Sequence, residues 1–95
     1  MSERELLLVA VVEFGAGQEQ AGIGYEDAVL DLLERHGGTV QRRLRATDSA
    51  TEVQVIRFAA RAGLESFLAD PDRLALRDRI GPGTPTTRVI EVSDV

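Results

Sequence analysis

The chain contains no cysteine, no lysine, no tryptophan and no asparagine, and it has a single histidine and a single tyrosine. Without cysteine, neither a disulfide framework nor a thiolate metal site is possible, which fits a reducing compartment. One imidazole without a spaced second ligand does not make a metal site. One histidine and no cysteine also lead us to expect no Ser-His-Asp or Cys-His arrangement. The residues therefore predict no metal and no cofactor.

The charge balance is acidic, with 16 acidic and 11 basic residues, a net charge of −5 and a pI of about 4.8. Such a field repels a phosphate backbone, and the one local basic cluster, Arg42, Arg43 and Arg45, has no interleaved aromatic residue. The apolar run Leu6–Val12 is too short to span a bilayer, and Glu3-Arg4-Glu5 before it is not the start of a signal peptide. We expect a soluble cytoplasmic protein without a nucleic-acid or membrane partner.

The run Leu6–Val12 has no polar break, which is typical of a strand buried on both faces rather than one. Ninety-five residues predict one domain, residues 1–95, and so short a chain gains from further burial. One layer of helices covers only one face of a small sheet. We therefore expect a second copy of the chain to cover the other face, making a homodimer.

Hydrophobic periodicity predicts strand, helix, strand, strand, helix, strand in chain order. The first half is predicted as a strand from Leu6 to about Phe14, a loop over 15–24, and a helix from Gly24 or Tyr25 that stops at Gly37-Gly38. Two strands, 39–47 and 52–59, should follow. A second helix should begin after Ala60, with a fresh segment from Pro71 to Ile80 that Asp70 caps, and the last strand should cover 86–92. In the second strand, Val40, Leu44 and Ala46 should share one face, and Gln41, Arg43 and Arg45 the other. Two hairpin registers, one residue apart, remain open.

This order predicts an α+β, ferredoxin-like βαββαβ fold, with an antiparallel sheet and its helices on one face. Right-handed crossovers should place the first and third strands side by side and parallel in the centre. The second and fourth strands are then the edges.

The stretch Leu32-Leu33-Glu34-Arg35-His36-Gly37-Gly38 resembles a family within the dimeric α/β-barrel superfamily, together with Tyr25, Ile56-Arg57-Phe58, Asp70-Pro71 and Arg77. That superfamily includes antibiotic-biosynthesis-type monooxygenases, and the resemblance implies a homodimer with two sheets packed face to face. Its oxygenases typically use tryptophan or asparagine, often with histidine. Because this chain has neither of the first two, the resemblance does not carry over their usual catalytic residues.

Glu13 precedes Phe14 and Arg57 precedes Phe58 on the two predicted central strands. If both phenylalanines face the helices, Glu13 and Arg57 turn together to the other face, where they could form a register-fixing ion pair or bind an acidic ligand. Tyr25 stands at a predicted pocket mouth, as a packing residue or a ligand contact. His36 should end the first helix, where its charged form suits the dipole, or act as a general base. Arg77 and Arg79 should lie at the end opposite Tyr25.

Tyr25 and His36 are thus the candidate catalytic residues, and Tyr25, Arg57 and Glu13 the candidate ligand contacts. The paired acids Glu26-Asp27 and Asp70-Asp72 are predicted at helix starts, where acids are expected, and are not taken as catalytic. Three functions stay open: binding or modest transformation of a small organic molecule between sheet and helices, a cofactor-free monooxygenase or isomerase, or a structural dimerisation module.

Overall fold

The computed structural model describes residues 4–95, so Glu3 and the two residues before it lie outside the described residues. The elements are β1 (Leu6–Glu13), α1 (Glu19–Leu30), a 3-10 turn (Leu33–His36), β2 (Gly38–Arg45), β3 (Thr51–Phe58), α2 (Arg61–Leu68), α3 (Pro71–Ile80), a second 3-10 turn (Gly81–Gly83) and β4 (Thr86–Val92). No helix among them is long and apolar enough to cross a membrane.

The four strands form one sheet in the order β2-β3-β1-β4, and each neighbouring pair is antiparallel. The predicted ferredoxin-like fold and its edge strands, β2 and β4, are confirmed. The prediction that the first and third strands are parallel is wrong. A right-handed crossover through α1 sets β2 parallel to β1, and the tight β2–β3 hairpin then reverses the chain. As a result, β3 runs against β1.

Helix α1 begins at Glu19, five residues before the predicted start, and already ends at Leu30. The predicted loop over 15–24 is therefore mostly helix. Gly22 within it reflects a close approach rather than a loop, since a Cβ there would collide with the ring of Phe14. Gly37 ends the following 3-10 turn in the left-handed conformation, with φ of 74°, which confirms the predicted stop.

The helices pack against the side of the sheet that carries Leu6, Leu8, Ile56 and Phe58. These residues are buried together with Val29, Leu33 and Phe67 from the helical layer. A second cluster at the other end of β1 joins three residues, Ala10, Val12 and Phe14. This side of the sheet therefore holds the core, and α1 closes over both clusters.

A bulge interrupts β2, because Val40 lies opposite Ile56 while Arg42 already lies opposite Val55. Gln41 is the extra residue, so the side chains after it point to the opposite sides of the sheet from those expected for a regular strand. Val40 and Leu44 consequently lie on opposite faces, so the predicted shared face is wrong. Arg43 and Arg45 turn to the helix side, opposite Gln54 and Glu52, which also settles the hairpin register.

The opposite side of the sheet, called here the open face, carries aliphatic side chains that no helix of residues 4–95 covers. Strand register places eight of them there: Leu7, Val9, Val11, Leu44, Val53, Val55, Ile90 and Val92. Alternating burial along β1 shows the contrast, since Leu6 and Leu8 are buried while Leu7 and Val9 are only half-buried.

Candidate functional site

A cavity of about 280 Å³ lies between the helix-facing side of the sheet and helices α1, α2 and α3. This volume is near the lower end of small-molecule sites, about 300–1,000 Å³. Its walls are mainly apolar: Leu8, Ala10, Val29, Leu30, Ile56, Phe58, Leu64, Phe67, Leu68, Pro85 and Val89. The polar lining residues are Tyr25, Glu26, Arg73, Arg77, Thr84 and Thr87. An apolar space with a few polar groups is the usual composition of a ligand site.

Glu26 is the acid of this cavity, and its side chain is almost completely buried. Its Oε1 accepts a hydrogen bond of 2.7 Å from Nε2 of Gln54. Its Oε2 has no hydrogen-bond donor among residues 4–95. Burial raises the pKa of Glu26 above 4.5, and the Gln54 hydrogen bond opposes that shift only in part. Burial therefore shifts the proton equilibrium of Glu26 toward the neutral acid, relative to an exposed glutamate.

Gln54 is held by a second buried acid, Glu52, which has no exposed surface. Its Oε2 accepts bonds from Gln54 Nε2 at 2.7 Å and Arg43 Nε at 2.9 Å, and its Oε1 accepts one from Arg45 Nη2 at 2.7 Å. Burial alone would raise the pKa of Glu52, but the hydrogen bonds from Arg43, Gln54 and Arg45 outweigh it and lower the pKa. The charged Glu52 thus fixes Gln54, and Gln54 fixes the carboxyl of Glu26.

Tyr25 and Arg73 supply hydrogen-bond donors at the same cavity. Burial raises the pKa of Tyr25, while the charges of Arg73 and Arg77 act against that rise. The guanidinium carbon of Arg73 lies 5.4 Å from the ring centroid of Phe67, and Nη1 donates to the carbonyl of Leu68 at 3.2 Å. Its Nε is buried and has no acceptor among residues 4–95.

No protein-family model and no curated protein matches the chain. Solved structures do resemble it over nearly its whole length. One is Rv0793 from Mycobacterium tuberculosis, with a TM-score of 0.72, 16% identity, and coverage of 97% of this chain and 98% of the other. The oxygenase SnoaB from Streptomyces nogalater, described as cofactor-independent, has a TM-score of 0.69 and 14% identity, with coverage of 96% of this chain and 93% of the other. A candidate antibiotic biosynthesis monooxygenase from Bacteriodes thetaiotaomicron has a TM-score of 0.78 and 9% identity, with coverage of 97% of this chain and 90% of the other.

The chain shares its fold with these solved structures, among them antibiotic-biosynthesis-type monooxygenases. The resemblance drawn from the sequence is therefore confirmed for the fold. At 9–16% identity, these matches show the fold alone. Function has to be argued from the side chains of this cavity.

Tyr25 is the one predicted site residue that lines the cavity. Glu13 and Arg57 both lie on the open face, as predicted, but the prediction that they form an ion pair with each other is wrong. Glu13 lies opposite Thr51, whereas Arg57 lies opposite Leu7 near the other end of β1. Antiparallel pairing separates positions that a parallel pair would bring together. Arg57 Nη1 instead bonds a carboxylate oxygen of Glu5 at 2.6 Å.

His36 does not line this cavity, and its contacts join three helical segments. Its Nε2 is 2.6 Å from Oδ2 of Asp70, and its Nδ1 is 2.8 Å from Oγ of Ser66. A Ser-His-Asp chain therefore exists, contrary to the sequence expectation. Ser66 also donates to the carbonyl of Gly63 at 3.1 Å. Asp70 caps α3 by accepting from the Asp72 amide, as predicted, and its hydrogen bond with His36 lowers its pKa.

Sequence reasoning missed Glu26, Arg73 and Arg77 as residues of this cavity. Glu26 is not at a helix start, because α1 begins seven residues earlier. Arg77 lines the same cavity as Tyr25 instead of lying at the opposite end. A usable signal was present, since Glu26 precedes the buried Val29 and Leu33 by three and seven residues on one apolar stripe. Among residues 4–95 no three histidine, aspartate or glutamate side chains are grouped to hold a metal ion.

Proposed function

We propose that this chain binds a small, largely apolar organic molecule in the cavity between its sheet and its helices. The observation that carries the proposal is a cavity of about 280 Å³ with apolar walls and convergent polar groups from α1 and α3. An apolar cavity of about 150 Å³ accommodates benzene, so this one can hold a larger ring system such as naphthalene. Tyr25, Glu26 and Arg73 would orient the polar substituent of that ring.

Binding of 1-naphthamide, a neutral two-ring probe, tests the proposal by isothermal calorimetry. The substitution Ala10→Leu fills the cavity from β1 and should abolish binding, because Ala10 is buried and lines it. Ala75→Leu is the matched control, since it makes the same exchange at an exposed residue of α3 outside the cavity lining. Labelled tyrosine gives a second readout: Tyr25 is the only tyrosine, so its ring resonances report on this cavity alone. Equal affinities of the two variants would contradict the proposal.

A second candidate function is cofactor-free acid–base catalysis, as an isomerase or a monooxygenase. The specific observation in its favour is Glu26, which lines the cavity and whose carboxyl is anchored through one oxygen by Gln54. Such a group can take a proton from an acidic C–H or O–H bond beside a carbonyl. Tyr25 and Arg73 would then face the oxyanion that forms. The neighbour SnoaB is itself described as a cofactor-independent oxygenase.

We propose in addition that the chain forms a homodimer through the open face of its sheet. Eight aliphatic side chains share that face, and Leu44 and Ile90 among them are more than a third exposed. Apolar surface of this extent on one side of a sheet favours association. A second copy packed face to face would cover it, with the helices of both copies outside.

A further inference from the structure

We infer that the ligand of this cavity is an organic anion, a ring system bearing a carboxylate or phenolate, and that Arg73 receives its charged group. The inference rests on the proposed binding function and adds the chemical class of the ligand.

The charged groups lining the cavity are Arg73, Arg77 and Glu26. Neither arginine has a carboxylate within ion-pair distance among residues 4–95, whereas five others do: Arg35, Arg43, Arg45, Arg57 and Arg61. Glu26 supplies at most one negative charge against the two guanidinium groups. In a chain of net charge −5, the cavity is thus locally positive. A locally positive cleft with low-dielectric walls concentrates anions.

Arg73 is positioned before any ligand arrives. Its guanidinium carbon lies 5.4 Å from the centroid of the Phe67 ring, and its Nη1 donates to the Leu68 carbonyl at 3.2 Å. These two contacts hold the guanidinium in place. Its Nη2 has no hydrogen-bond partner among residues 4–95 and can donate to an anionic oxygen, whereas Nε is enclosed by protein atoms. A guanidinium that is already held loses little freedom when it forms that bond.

The neighbouring groups fit the same ligand class. Arg77 follows Arg73 by four residues in α3, which places both on one face of the helix. The Tyr25 hydroxyl lines the cavity and can donate to an anionic oxygen. The cavity therefore offers the ligand several donors and a net positive charge.

The test compares 1-naphthoate with 1-naphthamide, which match in shape and differ in charge. Calorimetry at pH 7 and low salt should show that the wild-type chain binds naphthoate about tenfold or more tightly than naphthamide. Arg73→Gln should remove that preference, because it should weaken naphthoate binding about tenfold more than naphthamide binding. Arg79→Gln is the matched control, on the same helix but outside the cavity lining, and should keep the preference. Should Arg73→Gln fail to fold, Arg77→Gln should reduce the preference in the same direction.

Equal wild-type affinity for both probes would overturn the inference and leave the proposed binding function standing. An unchanged preference in both Arg73→Gln and Arg77→Gln would also overturn it. If neither probe binds to any variant, the inference and the proposed function both fail.

Discussion

Two glutamates in this protein show how the local environment sets the charge of a side chain. Glu26 and Glu52 are both buried and share one hydrogen-bonding partner, Gln54. Glu52 also accepts bonds from two guanidinium groups, which lower its pKa despite its burial. Glu26 has no such partner, so burial raises its pKa. One acid therefore serves as a fixed charge and the other as a group that can exchange a proton.

The raised pKa of Glu26 predicts a pH dependence of stability. Above pH 4.5 the unfolded chain has released this proton while the folded chain still holds it, so the free energy of unfolding should fall as pH rises. The fall continues until pH passes the folded pKa. The groups that face Glu26 are Gln54 and Glu52 from β3, Arg43 from β2 and Arg73 from α3. Glu26→Gln keeps an oxygen that can accept the Gln54 hydrogen bond but cannot titrate. It should therefore remove the decrease in the free energy of unfolding that is due to Glu26, as measured by urea unfolding between pH 5 and 8.

Glu34→Gln is the matched control for that experiment, because Glu34 is an exposed glutamate outside the cavity. It should leave the pH profile of the wild-type chain unchanged. If Glu26→Gln and Glu34→Gln give the same profile, Glu26 is not the group responsible.

At the scale of elements, α1 contains two glycines whose surroundings differ, so that a side chain would be tolerated at one position and not at the other. A side chain at Gly22 would meet the ring of Phe14 and, at 3.2 Å, Pro85. Phe14 is buried and cannot move aside freely. A side chain at Gly24 would meet nothing within 4 Å. Gly22 is therefore required by the packing of α1 on the end of β1, whereas Gly24 only weakens the helix.

These environments predict opposite effects of one substitution at two positions. Gly24→Ala should raise the free energy of unfolding by about 0.5–1 kcal/mol, because alanine restricts the unfolded chain and favours helix. Gly22→Ala should lower it by about 1–3 kcal/mol, since overpacking outweighs the helical gain. Denaturant unfolding of the two variants measures both, and each is the control for the other. Stabilisation by Gly22→Ala would show that α1 does not pack closely on Phe14.

At the scale of the whole molecule, the two faces of the sheet have different roles. The helix-facing side holds the core and the cavity. The open face is aliphatic at its centre and has charged residues such as Glu13, Arg57 and Arg88 toward its margins. A second sheet packed on it would bury the centre and leave the charges near solvent.

The substitution Val9→Asp tests whether the open face is a dimer interface. Val9 lies on a central strand, on the side away from the core, so a charge there should prevent association without unfolding the chain. Sedimentation of the wild-type protein should give about twice 10.3 kDa, and of Val9→Asp about 10.3 kDa. Circular dichroism should show that both are folded. Leu74→Asp, at an exposed leucine on α3, should remain dimeric. A monomeric wild-type chain would contradict the proposed homodimer.

The sequence by itself determined the element order, the left-handed stop at Gly37, the cap at Asp70 and the edge positions of β2 and β4. These features depend on periodicity, on backbone preference and on chain connectivity, which a single sequence displays. It misplaced the start of α1, because Gly22 and Gly24 favour a loop unless a ring such as Phe14 requires the close approach.

Only the tertiary structure decided which side chains meet. The bulge at Gln41 turned Arg43 and Arg45 toward Glu52, and antiparallel pairing separated Glu13 from Arg57. Helices far apart in sequence brought Tyr25, Glu26 and Arg73 to one cavity. The physical reason is range: capping and periodicity act within a few residues, whereas the facing of a bulged strand and the shape of a cavity depend on contacts across the whole fold.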